Sequence, residues 1–298
     1  MSAEQLPFSL LMPVWAGDSA AFFERAFHSS VIGQTRRPDE VVLVQDGPIG
    51  VELAAAISDA IEGSPVRVRH LVLESNVGLA SALSAGLRVA QHEVIARMDA
   101  DDVAMPERFE RQLPLVEQGY DLVGTGMYEF EHDGVIVGRR VPPVGSHAIA
   151  SRAKLRDPFN HPTVVYRRAA VERVGGYQDL DLMEDYLLFA RMVASGARVA
   201  NLADALVMYR VDAGAYERRG GWRLFESELR LQRQLLRDGF TTGPQYVRNV
   251  LVRGLYRFVP APIRRVAYRA VFVRDTSPAG LDLHGLRVDR LGDERIAG

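Results

Sequence analysis

The sequence predicts an α/β fold in which a mostly parallel central sheet is flanked by helices and followed by a C-terminal helical extension. Strand-like and helix-like segments alternate through the first hundred residues of the 298-residue chain. The strands are continuously apolar, as at residues 41–44, which is typical of parallel strands covered on both faces. Acidic residues follow two of these strands, at the sheet edge where ligands of such folds bind.

The first half of the chain contains four predicted strands separated by helices. The strands cover residues 8–14, 41–44, 66–73 and 93–98. Asp18 is predicted to cap the first helix, and two further helices cover residues 51–61 and 79–90. This alternation predicts that successive β–α units build one sheet.

The second half combines a hairpin with further helices. Pro106 is placed to begin a helix that runs to about residue 117. Residues 121–131 and 135–140 flank His132-Asp133-Gly134, a hairpin signal. The remaining predicted elements are a strand at 162–166, a short helix ending at Gly175-Gly176, a helix at 183–194, short strands near Val199 and Val207, and helices from Trp222 onward, interrupted at Gly243-Pro244 and Pro260-Ala261-Pro262.

Composition and charge exclude several kinds of function. The chain has no cysteine, which rules out disulfides, thiolate metal sites and a cysteine nucleophile. The chain has a formal net charge of −2. Residues 239–274 hold seven arginines and no acid, so the remaining residues together carry a charge of −9. An acidic body argues against nucleic acid as a partner. The longest uncharged spans, 5–17 and 75–87, have 13 residues and are too short to cross a bilayer, and the N-terminus does not resemble a signal peptide.

Two acidic clusters are the strongest candidates for a site. Asp99, Asp101 and Asp102 follow a predicted strand, and three neighbouring carboxylates repel unless a cation or proton compensates. A hard divalent ion such as Mg²⁺ or Mn²⁺ takes such oxygen ligands. Glu184 and Asp185 begin a helix, where one carboxylate could act as a general base. The alternatives are an acidic turn that caps a helix and acids placed at a helix dipole.

Several other residues allow both a structural and a functional interpretation. Asp46-Gly47 is either a tight turn or a carboxylate that faces a ribose or base. Asn76 and Gly78 cap a helix whose N-terminus could help to bind a diphosphate. His161 is either a structural hydrogen-bonding group or a catalytic one, and the loop containing Arg219 is either a solvated turn or a mobile phosphate clamp.

These motifs, taken in order, resemble glycosyltransferase family 2 with the GT-A fold, and in particular the bacterial enzymes of exopolysaccharide, capsule and O-antigen assembly, including amylovoran-type transferases. The matching segments span residues 7 to about 210. They are Pro13-Val14, Val44-Gln45-Asp46-Gly47, Asn76-Val77-Gly78-Leu79, Ala96-Arg97-Met98-Asp99-Ala100-Asp101-Asp102, Pro106-Glu107-Arg108-Phe109, Asn160-His161-Pro162-Thr163, and Gly175-Gly176-Tyr177 through Met183-Glu184-Asp185-Tyr186.

The resemblance implies roles for these residues. Asp99-Ala100-Asp101 becomes the DxD motif, with Asp101 the main ligand of Mn²⁺ or Mg²⁺ and Asp99 near the metal or ribose. Asp185 becomes the catalytic base, positioned with Glu184. The nucleotide-sugar donor, with a UDP-sugar favoured, is expected to contact Pro13, Asp46, Asn76, Gly78, Arg97, Asp99, His161 and Arg219. Gln45 departs from the family pattern, in which many members carry a second acid before the aspartate.

The implied reaction is an inverting transfer to a saccharide acceptor, expected to be lipid-linked, in surface polysaccharide biosynthesis. The expected organisation is a GT-A catalytic domain at residues 1–215, a basic amphipathic helical extension at 216–275 and a polar tail at 276–298. The extension predicts peripheral contact with the inner face of the plasma membrane from the cytoplasm, or else packing on the catalytic domain or a dimer interface. A sugar nucleotidyltransferase and a catalytically inactive glycan-assembly subunit are the alternative functions.

Overall fold

The computed structural model describes residues 6–131, 134–211, 221–254 and 258. In these residues the strands are β1 Phe8–Trp15, β2 Glu40–Asp46, β3 Arg67–Val72, β4 Val94–Arg97, β5 Val103–Ala104, β6 Leu122–Phe130, β7 Ile136–Arg140, β8 Val165–Arg167 and β9 Val199–Arg210. The α-helices are α1 Ala20–Phe27, α2 Val51–Glu62, α3 Leu79–Val89, α4 Arg108–Glu117, α5 Ser146–Ala153, α6 Arg168–Arg173, α7 Glu184–Ala194, α8 Trp222–Arg237 and α9 Gly243–Asn249. Short π-helical turns cover His28–Ile32 and Val250–Gly254, and a 3₁₀ turn covers His161–Thr163.

The strands form one sheet with the order β3-β2-β1-β4-β8-β6-β9-β5, and β7 pairs with β6. The first four strands are parallel, as the β–α alternation predicts. β8 is antiparallel to both β4 and β6, which makes the sheet mixed beyond β4. The predicted α/β fold is therefore confirmed, and its parallel half directs the ends of β2 and β4 to one edge.

Helices cover both faces of the sheet, which explains why its strands are apolar on both sides. On one face, Phe23 of α1, Leu53 of α2 and Phe109 of α4 pack against β1 and β2. On the other face, Leu83 of α3 and Phe189 of α7 contribute to a second buried cluster. The helices on the two faces hold the sheet in position, and the acidic residues lie at one edge of that sheet.

Three predicted elements differ from the structure. The strand expected at 162–166 begins only at Val165, because the preceding residues form the 3₁₀ turn. The two strands expected near Val199 and Val207 are one strand, β9, whose register with β6 shifts near Gly126. Ser19, and not Asp18, occupies the N-cap of α1, since Asp18 instead accepts a hydrogen bond from the Trp15 amide at 2.9 Å.

The described part of the C-terminal extension packs against the preceding fold. Leu224, Leu231 and Leu235 of α8 share a buried cluster with Tyr186 and Leu187 of α7. The predicted boundary near residue 215 and the tail at 276–298 lie outside the described residues, so the domain division stays a prediction. Among the described residues, no helix is long and apolar enough to span a bilayer.

Candidate active site

Asp46 closes the loop between β3 and α3. Its side chain accepts hydrogen bonds from the backbone amides of Val77 at 2.7 Å and Gly78 at 3.0 Å. Gly47 has a φ of +87°, and a Cβ there would lie 2.5 Å from the Asn76 nitrogen, so this turn requires glycine. Asp46, Asn76 and Gly78 therefore form one unit at the N-terminus of α3, with Asn76 exposed.

Three aspartates converge after β4. Asp99, Asp101 and Asp102 each offer one carboxylate oxygen, and these oxygens lie within 4.8 Å of one another. Asp102 is fully buried, and its Oδ1 accepts a hydrogen bond from the Arg210 amide at 2.9 Å. Its Oδ2 has no hydrogen-bond partner among the described residues. A buried, unsatisfied carboxylate oxygen beside two others is the donor set that a hard divalent cation prefers.

Burial and mutual repulsion raise the pKa values of two aspartates in this cluster. Burial, followed by the negative charge of Asp99, raises the pKa of Asp101 to about 7. Burial and Asp101 also raise the pKa of Asp102 well above its ordinary value. Mutual repulsion of this kind is relieved when a cation binds between the carboxylates. Asp99, Asp101 and Asp102 would hold such an ion.

Arg97 lies between the two acidic clusters. Its guanidinium forms an ion pair with Asp99, and its side chain is 2% exposed. The Nε and Nη1 atoms have no hydrogen-bond partner among the described residues. The positive charge of Arg97 opposes the effect of burial on the pKa of both Glu184 and Asp185. Arg97 therefore has N–H donors without a partner among the described residues, and they lie in a space lined by carboxylates.

Glu184 and Asp185 begin α7. Burial, followed by the charge of Asp185, raises the pKa of Glu184 to about 7. Burial also raises the pKa of Asp185, while a hydrogen bond from the Tyr186 amide at 2.7 Å opposes the rise. The Asp185 side chain is 27% exposed. A partly exposed carboxylate with a raised pKa has the properties of a general base.

His161, in the 3₁₀ turn, lies close to Asp185. Its Nδ1 lies 3.9 Å from Asp185 Oδ2, and its Nε2 shares a hydrogen bond with the Tyr177 hydroxyl at 2.9 Å. Burial and the nearby charge of Arg97 lower the pKa of His161 well below its ordinary value. His161 is therefore a neutral ring that contacts both the acidic pair and a tyrosine.

A cavity of about 740 Å³ brings five of the eleven predicted site residues together. It is lined by Arg97, Asp99, His161, Glu184 and Asp185, among others. Asp101 does not line this cavity, Asp46, Asn76 and Gly78 lie outside it around the N-terminus of α3, and Pro13 is buried within β1. Arg219 lies outside the described residues.

Arg210 lies beside the aspartate cluster, although no sequence motif predicts it there. Its Nε donates to the Asp101 carbonyl at 2.9 Å, and its guanidinium lies 3.6 Å from the Phe22 ring centroid. Asp18 was also assigned a different role. Burial raises its pKa to about 6, and Asp99 adds to the rise. No local signal marks Arg210, since the pairing joins positions 109 residues apart.

The family model "Glycosyl transferase family 2" matches residues 9–175. The amylovoran biosynthesis glycosyltransferase AmsE of Erwinia amylovora is 35% identical over 266 residues, covering 88% of this chain and 97% of the relative. The UDP-Gal:alpha-D-GlcNAc-diphosphoundecaprenol beta-1,3-galactosyltransferase of Escherichia coli is 31% identical over 280 residues, covering 92% and 99%.

Two solved structures share the fold. TarS residues 1–349 from S. aureus, in complex with UDP-GlcNAc, aligns with a TM-score of 0.60 at 18% identity, covering 90% of this chain and 76% of that one. The mannosyltransferase PcManGT from Pyrobaculum calidifontis, in complex with GDP-Man and Mn²⁺, aligns with a TM-score of 0.61 at 17% identity, covering 91% and 77%. These similarities confirm the predicted GT-A fold.

Proposed function

This chain belongs to glycosyltransferase family 2, and from that membership we propose that it transfers the sugar of a nucleoside-diphosphate sugar to a saccharide hydroxyl, with inversion at the anomeric carbon. The observation that carries this proposal is the cavity shared by Asp99 and Asp185. A donor held at the aspartate cluster and a base at the start of α7 then face each other across one space.

Asp185 is the proposed base. A saccharide hydroxyl is a weak nucleophile, and a carboxylate that takes its proton contributes on the order of 10²–10⁴-fold to the rate. In this mechanism the acceptor oxygen bonds to the anomeric carbon as the bond to the diphosphate oxygen breaks. The proton passes to Asp185, and attack from the face opposite the leaving group inverts the configuration.

The aspartate cluster is proposed to hold the donor's leaving group. Asp99, Asp101 and Asp102 would bind Mn²⁺ or Mg²⁺, which neutralises charge on a departing diphosphate. Arg97 has two nitrogen atoms, Nε and Nη1, without partners among the described residues, and it is proposed to donate hydrogen bonds from them to phosphate oxygens or to the donor sugar. Asp46 and the α3 N-terminus are proposed to hold the nucleoside side of the donor.

The proposed donor is a UDP-sugar and the proposed acceptor is lipid-linked. The name of the Escherichia coli relative states UDP-Gal as donor and a diphosphoundecaprenol-linked GlcNAc as acceptor. The TarS complex contains UDP-GlcNAc, whereas PcManGT contains GDP-Man, so the nucleotide has to be measured. Transfer to such an acceptor would serve bacterial surface polysaccharide biosynthesis.

Peripheral membrane contact is part of this proposal. Trp222, Val247, Leu251 and Val252 are all more than half exposed, and Trp222 packs with Phe225 and Phe258 in an aromatic group. We call these four exposed side chains the apolar patch. Apolar and aromatic side chains exposed together are typical of surfaces that enter a bilayer interface.

The basic residues contribute less to this surface than the sequence suggests. Arg253 is not part of a basic face, because it forms a two-point ion pair with buried Glu228 at 2.7 and 2.9 Å. Arg248 contacts the side chain of Asn249 at 2.9 Å. The other five arginines of residues 239–274 lie outside the described residues, so their contact with lipid headgroups remains a prediction.

The decisive experiment is a donor panel. Hydrolysis of UDP-, GDP- and dTDP-sugars would be measured with Mn²⁺, with Mg²⁺ and with chelator, followed by transfer to lipid-linked and free saccharides. We expect metal-dependent release of one nucleoside diphosphate and a product of inverted configuration. Formation of sugar nucleotide from a nucleoside triphosphate would instead indicate a nucleotidyltransferase. Failure to bind or cleave any donor would indicate an inactive assembly subunit.

A further inference from the structure

We infer that the half of the cavity remote from the α3 N-terminus binds a phosphate or diphosphate group on the acceptor. Its wall carries four arginines, Arg140, Arg152, Arg156 and Arg253, which we call the arginine wall. This inference rests on the proposed function, since it concerns the acceptor of that reaction. It adds a binding site and assigns residues to it.

The arginine wall lies on the acceptor side of the proposed base. Its residues come from the end of β7, from α5 and the segment after it, and from the turn at Val250–Gly254. Asp46 and Asn76 bind each other on the other side of β4, at β2 and α3. An acceptor whose hydroxyl reaches Asp185 therefore extends toward the arginine wall and away from the nucleoside.

The charge of this half of the cavity favours an anion. The lining of this half carries four arginines and one acid, Asp157, and two buried acids behind the lining, Glu129 and Glu228, pair with Arg140 and Arg253. Asp157 already accepts a hydrogen bond from the Phe159 amide at 2.9 Å. Arg156 and Arg253 both line this cavity, and burial, followed by the positive charge of Arg253, lowers the pKa of Arg156. An anion bound between them relieves that repulsion.

Two of the arginines are held in fixed positions. Arg140 Nε donates to Glu129 at 2.8 Å, and Glu129 is 1% exposed. Arg253 donates twice to Glu228, which is fully buried on α8. Guanidinium groups fixed by buried acids lose little entropy when they bind a ligand, and their planar geometry suits phosphate oxygens. The wall is thus preorganised for a phosphate ester.

The mouth of this half of the cavity is apolar. Val252, which precedes Arg253, and Leu182, which precedes α7 by two residues, both line the cavity and are more than half exposed. The cavity therefore offers a carboxylate, arginines and apolar side chains to one ligand. A diphosphate-linked lipid saccharide combines the sugar hydroxyl, the phosphates and the apolar chain that match these three kinds of side chain.

The first test measures binding of inorganic pyrophosphate by calorimetry in the presence of EDTA, which removes the metal that the donor site requires. We expect the full-length protein to bind pyrophosphate, and Arg152→Ala and Arg156→Ala each to weaken binding by about tenfold, the value of one charge-assisted contact. Arg173→Ala is the matched control, because Arg173 is an exposed arginine on α6. It should bind as tightly as the unmodified protein.

The second test compares two acceptors with the same saccharide, one joined to an alkyl chain through diphosphate and one joined directly. The ratio of kcat/KM for the two acceptors should favour the diphosphate form. We expect Arg152→Ala and Arg156→Ala to lower this ratio by about tenfold through the acceptor KM. The donor KM should change far less, and Arg173→Ala should keep the ratio.

The outcomes separate the two proposals. Absence of pyrophosphate binding, or equal binding by the wall variants and the control, would overturn the acceptor-phosphate site. Pyrophosphate binding that depends on the wall in a protein that transfers no sugar would overturn the proposed function only. If an alanine variant fails to fold, as judged by thermal denaturation, Arg152→Gln or Arg156→Gln replaces it under the same criteria.

Discussion

At the scale of single residues, the site consists of two groups of carboxylates with one buried guanidinium between them. Arg97 pairs with Asp99 on one side, and its charge reaches Glu184 and Asp185 on the other. Asp99 and Asp185 lie 86 residues apart in the sequence, yet both line the same cavity. In the proposed mechanism, one side chain accepts a proton while others hold the diphosphate.

Replacing the proposed base should separate binding from turnover. Asp185→Asn removes the proton acceptor but keeps the shape of the side chain, so we expect kcat to fall by about 10²–10⁴-fold. The donor Kd, measured by calorimetry with UDP and Mn²⁺, should stay nearly constant. Asp59→Asn is the matched control, since Asp59 is exposed on α2. Near-normal turnover by Asp185→Asn would remove it as the base.

The pH dependence of activity should follow the proposed base and not its neighbour. Burial raises the pKa of Asp185, and the adjacent Glu184 carboxyl has a pKa of about 7. The charge of ionised Asp185 contributes to that rise, so Asp185 loses its proton before Glu184 does. Asp185 must be ionised to accept a proton, so activity is lost as pH falls through its pKa. Glu184→Gln mimics the protonated neighbour, so we expect the acidic limb of the kcat–pH profile to stay in place. A limb that moves to lower pH would contradict this order, because it would show that Glu184 is ionised while Asp185 titrates.

At the scale of elements, strand ends and helix starts position the chemistry. The parallel strands β2 and β4 end at one edge, and α7 begins beside that edge. Helix α8 then packs on α7, and the turn at Val250–Gly254 returns Arg253 to the cavity. The extension thus completes the cavity wall as well as presenting the apolar patch.

The apolar patch predicts binding to lipid vesicles. We expect the double variant Leu251→Ser/Val252→Ser to reduce cosedimentation with vesicles of anionic and neutral phospholipid, because each exposed apolar side chain contributes area to interfacial binding. The matched control is Val51→Ser on α2, which is 85% exposed but far from the patch in the chain. Equal loss in both variants, or no binding by the unmodified protein, would argue against membrane contact through this patch.

At the scale of the whole molecule, the protonation of Asp101 and Asp18 links metal binding to folding stability. Asp101 has a pKa of about 7 and Asp18 of about 6, against an ordinary value of 3.8. When a folded-state pKa is raised, the unfolded chain binds fewer protons between the two pKa values. The stability that these groups contribute is therefore complete below pH 3.8 and is lost as pH rises to about 7.

Mn²⁺ should restore that stability, and more so at high pH. At 100 times its Kd the ion contributes about 2.7 kcal/mol, which corresponds to a rise in Tm on the order of 5 °C. The rise should be larger at pH 8 than at pH 5.5, because protons compete with the ion for the carboxylates. Asp101→Asn should abolish it and Asp59→Asn should keep it. A rise that is independent of pH or of Asp101 would indicate that the ion binds elsewhere.

The features of this protein that depend on neighbouring residues can be predicted from the amino-acid sequence. Apolar runs between turn residues predict the four parallel strands, because burial on both faces demands such runs. The ends of β2 and β4 predict where Asp46 and Asp99 lie, because the carboxyl ends of parallel strands meet at one edge of the sheet. The ordered motifs predict the family, which the family model and the relatives confirm.

The partners that those residues contact depend on how the whole chain folds. The antiparallel insertion of β8, the hydrogen bond from Arg210 to Asp102 and the pairing of Arg253 with Glu228 join positions far apart in the chain. No local pattern encodes such contacts, because each depends on how all helices and strands pack together. The same packing turned an arginine expected on a membrane surface into part of a cavity wall, next to the carboxylate proposed to act as the base.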